Sequence, residues 1–388
     1  MISVEEAQAR VLALAAPLPA EDVPLARAAG RWLAAPVTAR ADQPPFDASA
    51  MDGYAVQGDP GSGDSLAVIG ESGAGHGFAG AVGPGQAVRI FTGAPVPPGA
   101  TRVVIQEDVA RDGDRITLRA GADAATHIRP RGADFPAGSP LSPRRLRPAD
   151  LSLLAAMNIG TVPCARRPVV AVVMTGDELV MPGEDPGPAQ IVASNGFAIK
   201  AMAEAEGAEV RLLPIARDTE PALCTVLGLA KGADVIVTIG GASVGDHDLV
   251  ARVTRDLGME PAFWKIAMRP GKPLMAGRMM GGLLLGLPGN PVSAIVCAHL
   301  FLLPVLRALQ GDAAPLPRLR AAPLACDLPA NGPRAHFMRA RLTDAGIAPF
   351  DSQDSSLLTI LTEADALLLR PVDDGPRRAG ETVPYLPI

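Results

Sequence analysis

Gly286-Leu287-Pro288-Gly289-Asn290-Pro291-Val292-Ser293-Ala294 lies between an aliphatic run, Leu283-Leu284-Leu285, and a long apolar segment that ends near Leu309. The pattern predicts a strand, a glycine turn and a helix start. Asn290 is a favoured N-cap residue, Pro291 suits the first helical position because its missing N–H would have no helical partner, and Ser293 adds a hydroxyl in the first turn. Such a turn aims free backbone N–H groups at a ligand. A helix N-terminus carries roughly half a unit of positive charge, so the guest it favours is an anion, most often a phosphate. Strand-to-helix turns with glycine also occur in chains that bind nothing, so the rest of the sequence must decide.

Outward from that stretch, the chain beyond Pro168 alternates regularly. Strands are expected at 169–174, 209–215, 234–239 and 283–287, and helices at 195–207, 220–231, 246–257 and 291–309. Continuous aliphatic strands alternating with helices predict a parallel sheet covered on both faces, with ligands beyond the carboxyl ends of its strands. The polar motifs fall there. Thr175-Gly176-Asp177-Glu178 follows the first strand, Arg217-Asp218 the second, Gly240-Gly241-Ala242-Ser243-Val244-Gly245-Asp246-His247-Asp248 the third, and the opening stretch the fourth. Each carboxylate alone reads as a cap or a surface charge. Their convergence suits Mg²⁺ bridging carboxylates to a substrate phosphate. Between the third and fourth strands, Trp264-Lys265-Ile266-Ala267-Met268-Arg269-Pro270-Gly271-Lys272 carries three cations, read either as an exposed basic loop or as a counter-charge for an anion.

The N-terminal part reads differently. Residues 3–16 place Val4, Ala7, Val11 and Leu14 on one helical face, a second short helix is expected at 25–33, another at 149–158, and a linker at 162–167. Between them lies a Gly- and Pro-dense segment with β-type runs at 87–91, 102–106 and 115–118. Asp52-Gly53 is a turn signal whose carboxylate would ordinarily cap the turn. Arg129 and Arg131 precede Asp134, and their ordinary fate is a solvated face. The last seventy or so residues carry β-type runs at 335–342, 357–362 and 366–369, fitting a small barrel, with Gln353-Asp354-Ser355-Ser356 read as a solvated turn. The fold class is thus multidomain α/β and β. Its expected parts are a helical N-terminal domain (1–40 and 139–167), an inserted β-rich domain (41–138), an α/β domain (168–311) and a C-terminal β-barrel (312–388).

Composition sets limits on function. The chain has 388 residues, 48% hydrophobic but only 3% aromatic, so its cores rest on Ala, Val and Leu and offer no platform of rings for stacking bases. A net charge of −6 provides no global field for nucleic acid or an anionic membrane. Cys164, Cys224, Cys297 and Cys326 form no C-x-x-C pair, which disfavours zinc and suggests a reducing compartment, by default the cytoplasm. The apolar run 279–306 is cut by the glycine turn, and a buried core accounts for it better than a membrane span.

Together Met51-Asp52-Gly53-Tyr54-Ala55, Thr92-Gly93-Ala94-Pro95, Thr175-Gly176-Asp177-Glu178-Leu179, Ser243-Val244-Gly245 with Asp248, Pro270-Gly271-Lys272-Pro273 and the stretch from Gly286 to Ala294 closely resemble the MoeA family. This is the molybdopterin molybdenumtransferase family, which includes the gephyrin E domain, and the motifs recur in its order across nearly the whole chain. The resemblance implies a cytoplasmic homodimer with four domains per subunit that inserts molybdate into adenylylated molybdopterin with Mg²⁺, releasing AMP. It assigns activity to Asp52, Thr92, Glu178, Asp218, Asp248 and Lys265, and implies that the β-rich domain of one subunit completes the cleft of the other. Asp134 matches the acid of an arginine-glycine motif. The roles expected are metal binding by Glu178, Asp218 and Asp248, and substrate binding by Gly240, Gly241, Ser243, Gly245, Arg269, Lys272, Pro288, Gly289, Asn290 and Ser293. Two departures are Arg269, where the family often has lysine, and Ala133, which replaces an acid. Arg334 and Arg339 both qualify as a basic residue facing the cleft from the C-terminal domain. Molybdopterin adenylyltransferase and molybdenum enzymes are the partners the resemblance suggests. Competing readings are a scaffold that holds the pterin without turnover, and an adenylyltransferase, which would consume ATP.

Overall fold

Successive residues of a strand face opposite sides, so an unbroken aliphatic run must be covered twice. The computed structural model, which describes residues 1–241 and 249–388, realises this in the larger of two units, made of Met1–Glu21, Gly30–Ala34 and Cys164–Ile388. Its main sheet has the order Glu209–Leu212, Val169–Met174, Val235–Ile239, Gly282–Leu287, Met275–Met279, Glu260–Trp264. Val170, Val172 and Met174 face a core shared with the helices Val4–Leu12, Asn195–Ala205 and the long helix from Pro291. Ala171 and Val173 face the other layer, with Leu223, Leu227, Val250 and Val253 from the helices Glu220–Gly228 and Leu249–Asp256.

The first four strands of this order are parallel, as expected, but the last two are added by antiparallel pairings, so that Met275–Met279 runs against all the others. The sheet is therefore mixed. Met275–Met279 returns to Gly282–Leu287 through Met280 and Gly281, both at positive φ (53° and 84°), the backbone of a tight primed hairpin turn. Other expectations need correction. The opening helix ends at Leu12, and Val4, Ala7 and Val11 lie in the α/β core, against the long helix from Pro291. Segment 25–33 holds one 3-10 turn, Leu25–Arg27, and Gly30 at φ 72°. The expected linker at 162–167 is largely strand, Thr161–Ala165.

The long helix from Pro291 to Leu309 is α-helical at both ends and has a π turn at Ala298–Leu302. Pro304 accounts for the irregularity, because it has no N–H to give the carbonyl of Leu300. The side-chain amide of Gln8 donates to that carbonyl instead, at 3.0 Å. Long and apolar enough to cross a bilayer, the helix is mostly buried inside the protein.

The same unit contains a second sheet, ordered Met268–Arg269, Ala335–Thr343, Ala366–Arg370, Thr382–Pro387, Arg320–Pro323, with Gly346–Pro349 paired to Ala335–Thr343. A parallel bridge between Leu324 and Ile347 brings its ends together, so the sheet curls into a barrel. Residues 357–362, expected as strand, include the short helix Leu358–Thr362. The smaller unit, Asp22–Ala29 with Ala35–Pro163, is built on a six-stranded sheet ordered Arg102–Ile105, Gly53–Val56, Gln86–Ile90, Ser65–Ser72, Arg115–Leu118, Val109–Asp112, and includes the helix Pro148–Ala156. Gly53 is required there because a β-carbon would collide with the carbonyl of Val104 on the neighbouring strand.

In the barrel, Asp374 is buried between Arg370 (2.5 Å) and Arg377 (2.6 Å). The hydrogen bond from Arg377, against an opposing desolvation and with help from Arg370, holds its carboxyl below the usual range. This stabilisation is fully present above the ordinary carboxylate pKa and is lost as pH falls through the lower folded value. Asp374→Ala leaves Arg370 buried without its partner and is expected to cost about 3 kcal/mol at neutral pH. Denaturant titrations at several pH values check this, the variant showing a shallower loss of stability toward acid; an unaltered acid slope would count against the pair.

Candidate functional site

The carboxyl ends of Val169–Met174, Val235–Ile239 and Gly282–Leu287 open on a cleft of about 540 Å³, at the sheet edge where α/β folds place their ligands. Three turns meet there with almost no side chain between them. Thr175 N–H donates to Ile239 O (2.9 Å) and Gly240 N–H to Leu287 O (3.2 Å). Gly240 has φ 94°, and a β-carbon on it would lie 2.6 Å from the Thr175 carbonyl oxygen. Gly289 stands in van der Waals contact with Gly240, its β-carbon position being 3.5 Å from the Gly240 Cα. At Gly176, φ 150°, the place of a β-carbon is taken by the Glu178 carboxylate, which folds back over the bare backbone.

Glu178 and Asp218 both line this cleft, together with Gly240, Gly241, Gly289 and Asn290. The sequence brought these six residues forward and the fold brings them together. Two neighbours fix the turns that carry the carboxylates. One Arg217 nitrogen donates to the carbonyls of Gly176 (3.3 Å), Asp177 (3.0 Å) and Leu179 (3.0 Å), and the Asp177 carboxylate accepts from Asp218 N–H (3.0 Å). Asn195, which sequence reasoning missed, also lines the cleft, and its amide donates to Gly289 O at 2.7 Å. Its only sequence signal is its place at the expected start of a helix. Two helices, Asn195–Ala205 and the one from Pro291, thus begin at the cleft, and the positive ends of both favour an anion.

Asn290 occupies the N-cap position with an extended backbone, but its side chain does not cap. The amide donates to Ser355 Oγ (2.9 Å), and Val292 N–H donates to Ser355 O (3.1 Å). The polar loop expected as a solvated turn is instead docked on the helix start, and Ser356 lines the cleft. Asp354 accepts from the N–H (2.9 Å) and hydroxyl (2.8 Å) of Ser356, and these bonds hold its carboxyl below the usual range. Arg339 is only 1% exposed and donates to the carbonyls of Ser352 and Leu357, both at 3.3 Å. Gln353 returns two bonds to the Arg339 backbone (2.9 and 3.0 Å). Arg339 therefore anchors this loop and does not face the cleft, while Arg334 is half-buried.

Lys265, Arg269, Lys272, Pro288 and Ser293 do not line the cleft. Lys265 is exposed at φ 63°, and Ile266 N–H donates to Lys272 O (3.1 Å), closing the basic loop. Arg269 pairs with His336 in the barrel sheet. Burial first, then the guanidiniums of Arg269, Arg370, Arg334 and Arg339, push the His336 imidazole down to about 4. Ser243, Gly245 and Asp248 lie outside the described residues. In the smaller unit Asp52 and Thr92 meet, the Thr92 N–H (2.7 Å) and hydroxyl (2.8 Å) donating to Asp52 Oδ1, which holds that carboxyl below its usual range. Asp134 is exposed, and Arg131 pairs with Asp42 instead. Among the described residues no group of three His, Cys, Asp or Glu is placed to hold a metal. Glu178 and Asp218 nevertheless supply two carboxylates to one cleft, a donor set that suits a magnesium ion keeping waters and taking its remaining ligands from a phosphate.

Comparison with known proteins fits this geometry. The MoeA N-terminal region (domain I and II) matches residues 2–158, a probable molybdopterin binding domain matches 171–308, and the MoeA C-terminal region (domain IV) matches 321–388. Molybdopterin molybdenumtransferase 2 of Mycobacterium tuberculosis is 36% identical over 391 residues, covering 96% of each chain. The chain belongs to the MoeA family. The molybdopterin molybdenumtransferase of a Nostoc species is 39% identical over 303 residues, covering 75% of this chain and 70% of its own. Among solved structures, a molybdopterin biosynthesis MoeA protein of Pyrococcus horikoshii superposes with a TM-score of 0.83 at 30% identity, covering 100% of this chain and 99% of its own. MoeA membership thus rests on the three regions in order, and the cleft falls within the region matched by the molybdopterin binding domain, apart from the Ser356 loop.

Arg339→Met removes both carbonyl contacts and is expected to loosen residues 352–357. Amide hydrogen exchange should quicken by about tenfold in that loop and at Val292, in keeping with the loss of a charged hydrogen-bond donor. Exchange in Val235–Ile239 should be unchanged, and unaltered protection at Val292 would show that the loop docks without Arg339.

Proposed function

We propose that this MoeA-family chain inserts molybdate into adenylylated molybdopterin with release of AMP, as a transferase of molybdenum cofactor biosynthesis. The observation that carries the reading is the meeting of Glu178, Asp218, the glycine turns and two helix starts in one cleft. Backbone N–H groups at the turns and helix starts bind the pyrophosphate, and Asn195, Asn290 and Ser356 orient it. Lys265, Arg269 and Lys272, outside the cleft's own lining, are the cations assigned to phosphate or molybdate in this reading, and Arg keeps the charge at 269 with a different hydrogen-bonding fork. Glu178 and Asp218, with Asp248, hold magnesium, which when bound lowers the charge on the phosphoanhydride oxygens.

Arg217 and Asp177 hold the backbone of the turns that carry the two carboxylates before substrate arrives, which limits reorganisation of the site as charge develops. No side-chain nucleophile is needed. Positioning of the anhydride beside molybdate, and stabilisation of the leaving phosphate charge, carry most of the barrier reduction. In this reading the chain works as a cytoplasmic homodimer, Asp52, Thr92 and Asp134 of one subunit facing the cleft of the other. Molybdopterin adenylyltransferase precedes it, and molybdenum enzymes receive its product.

Purified protein mixed with adenylylated molybdopterin, molybdate and Mg²⁺ should release AMP and reconstitute a molybdenum enzyme, both dependent on molybdate. Glu178→Ala and Asp218→Ala should each lower AMP release at least about 100-fold, as loss of a group that stabilises transition-state charge does. Chelation of divalent metal should have a similar effect. Unchanged turnover in both variants sinks the assignment, and tight pterin binding without AMP release would favour a scaffold.

A further inference from the structure

A second concavity in the larger unit, of about 280 Å³, shares no lining residue with the cleft. His299, Leu303 and Arg307 enter it from the long helix at intervals of four, Arg318 from the connector that leads into the barrel, Arg320 from the start of the strand Arg320–Pro323, and Leu386 from the last strand. We infer that this pocket binds a phosphomonoester with a small apolar body, a ligand separate from the substrate of the cleft.

Charge is the first argument. Three guanidiniums and an imidazole line the pocket and, among the described residues, no carboxylate does, in a chain whose net charge is −6. Arg307 is ion-paired with Glu206, whose carboxylate takes Nε at 3.0 Å and fixes the guanidinium plane. Arg318 and Arg320 pair with no carboxylate among the described residues, so two forks remain for the oxygens of a phosphate. Shape is the second. Leu303 and Leu386 are buried side chains that line the pocket beside the cations, giving an apolar wall for the body of an ester. The third is local structure. His299 lies in the π turn, and such turns often accompany binding sites. Burial first, then the Arg307 guanidinium, with Glu206 opposing, push the His299 imidazole down to about 4. An arriving anion favours its protonated form, so the ring reports occupancy.

The protein has five histidines, so the imidazole resonance of His299 is assignable in a ¹⁵N-histidine-labelled sample by comparison with His299→Gln. Inorganic phosphate and phenyl phosphate, titrated at constant ionic strength and neutral pH, should each move that resonance to saturation, phenyl phosphate at lower concentration because of the apolar wall. Replacing the two exposed arginines together, Arg318→Ala with Arg320→Ala, should weaken both about tenfold or more, as expected when charged hydrogen-bond donors are lost. AMP release at the cleft should remain as in the parent protein. A shift that never saturates, no shift, equal affinity for the two probes, or saturation that survives the double replacement would each overturn the assignment.

Discussion

The architecture depends on close backbone contact at the carboxyl ends of three strands. Gly240 rests against the Thr175 carbonyl, Gly289 rests against Gly240, and the hydrogen bonds Thr175 to Ile239 and Gly240 to Leu287 tie the turns together. Any β-carbon at Gly240 would push the turns apart and with them the carboxylates and helix starts that they carry. Glycine at such positions loses more conformational freedom on folding than any other residue. The aliphatic layers beneath, from Val170 to Met174 and from Val235 to Leu285, offset that cost by burial on both faces of the sheet.

Those layers are also what makes the fold legible. Val169–Met174 is an unbroken apolar run and Val235–Ile239 is interrupted only by Thr238, and a run of that kind has few alternatives to a buried strand. Met275–Met279 contains a glycine and an arginine, and Glu260–Trp264 contains a proline, so neither has the pattern of a buried strand. Their place follows from a hairpin whose first turn residue, Met280, adopts a conformation that its side chain does not advertise. The π turn is hidden for another reason. Pro304 creates the unpaired carbonyl at Leu300, but the donor that answers it, Gln8, is 292 residues away from that carbonyl. Residues 357–362 mix Leu, Thr and Ile over a length at which helix and strand are not separable by periodicity.

The site divides along the same line. Glu178, Asp218, Gly240 and Asn290 were visible because a topological rule places every strand-end loop of a parallel sheet at one edge. Asn195, Arg217, Ser356 and Arg339 act through partners distant in sequence, and although Arg217 stands in a strand-end motif and Ser356 in a polar loop, nothing near any of the four names those partners. The Asp52 and Thr92 motifs were legible one at a time. Their hydrogen bonds arise only when the strand Gly53–Val56 lies antiparallel to Gln86–Ile90 and brings the two turns to the same end of the sheet.

The basic stretch is shared between two sheets. Glu260–Trp264 is the edge of the α/β sheet, Lys265 turns the chain at φ 63°, and Met268–Arg269 is already the edge of the barrel sheet. Lys265 and Arg269, four residues apart, thus stand at the turn between the sheets and on the edge of the barrel sheet within one compact unit. The gap between these two positive charges therefore lies across the passage from one sheet to the other, and a substitution that reshapes the turn at Lys265 would alter it without touching either strand.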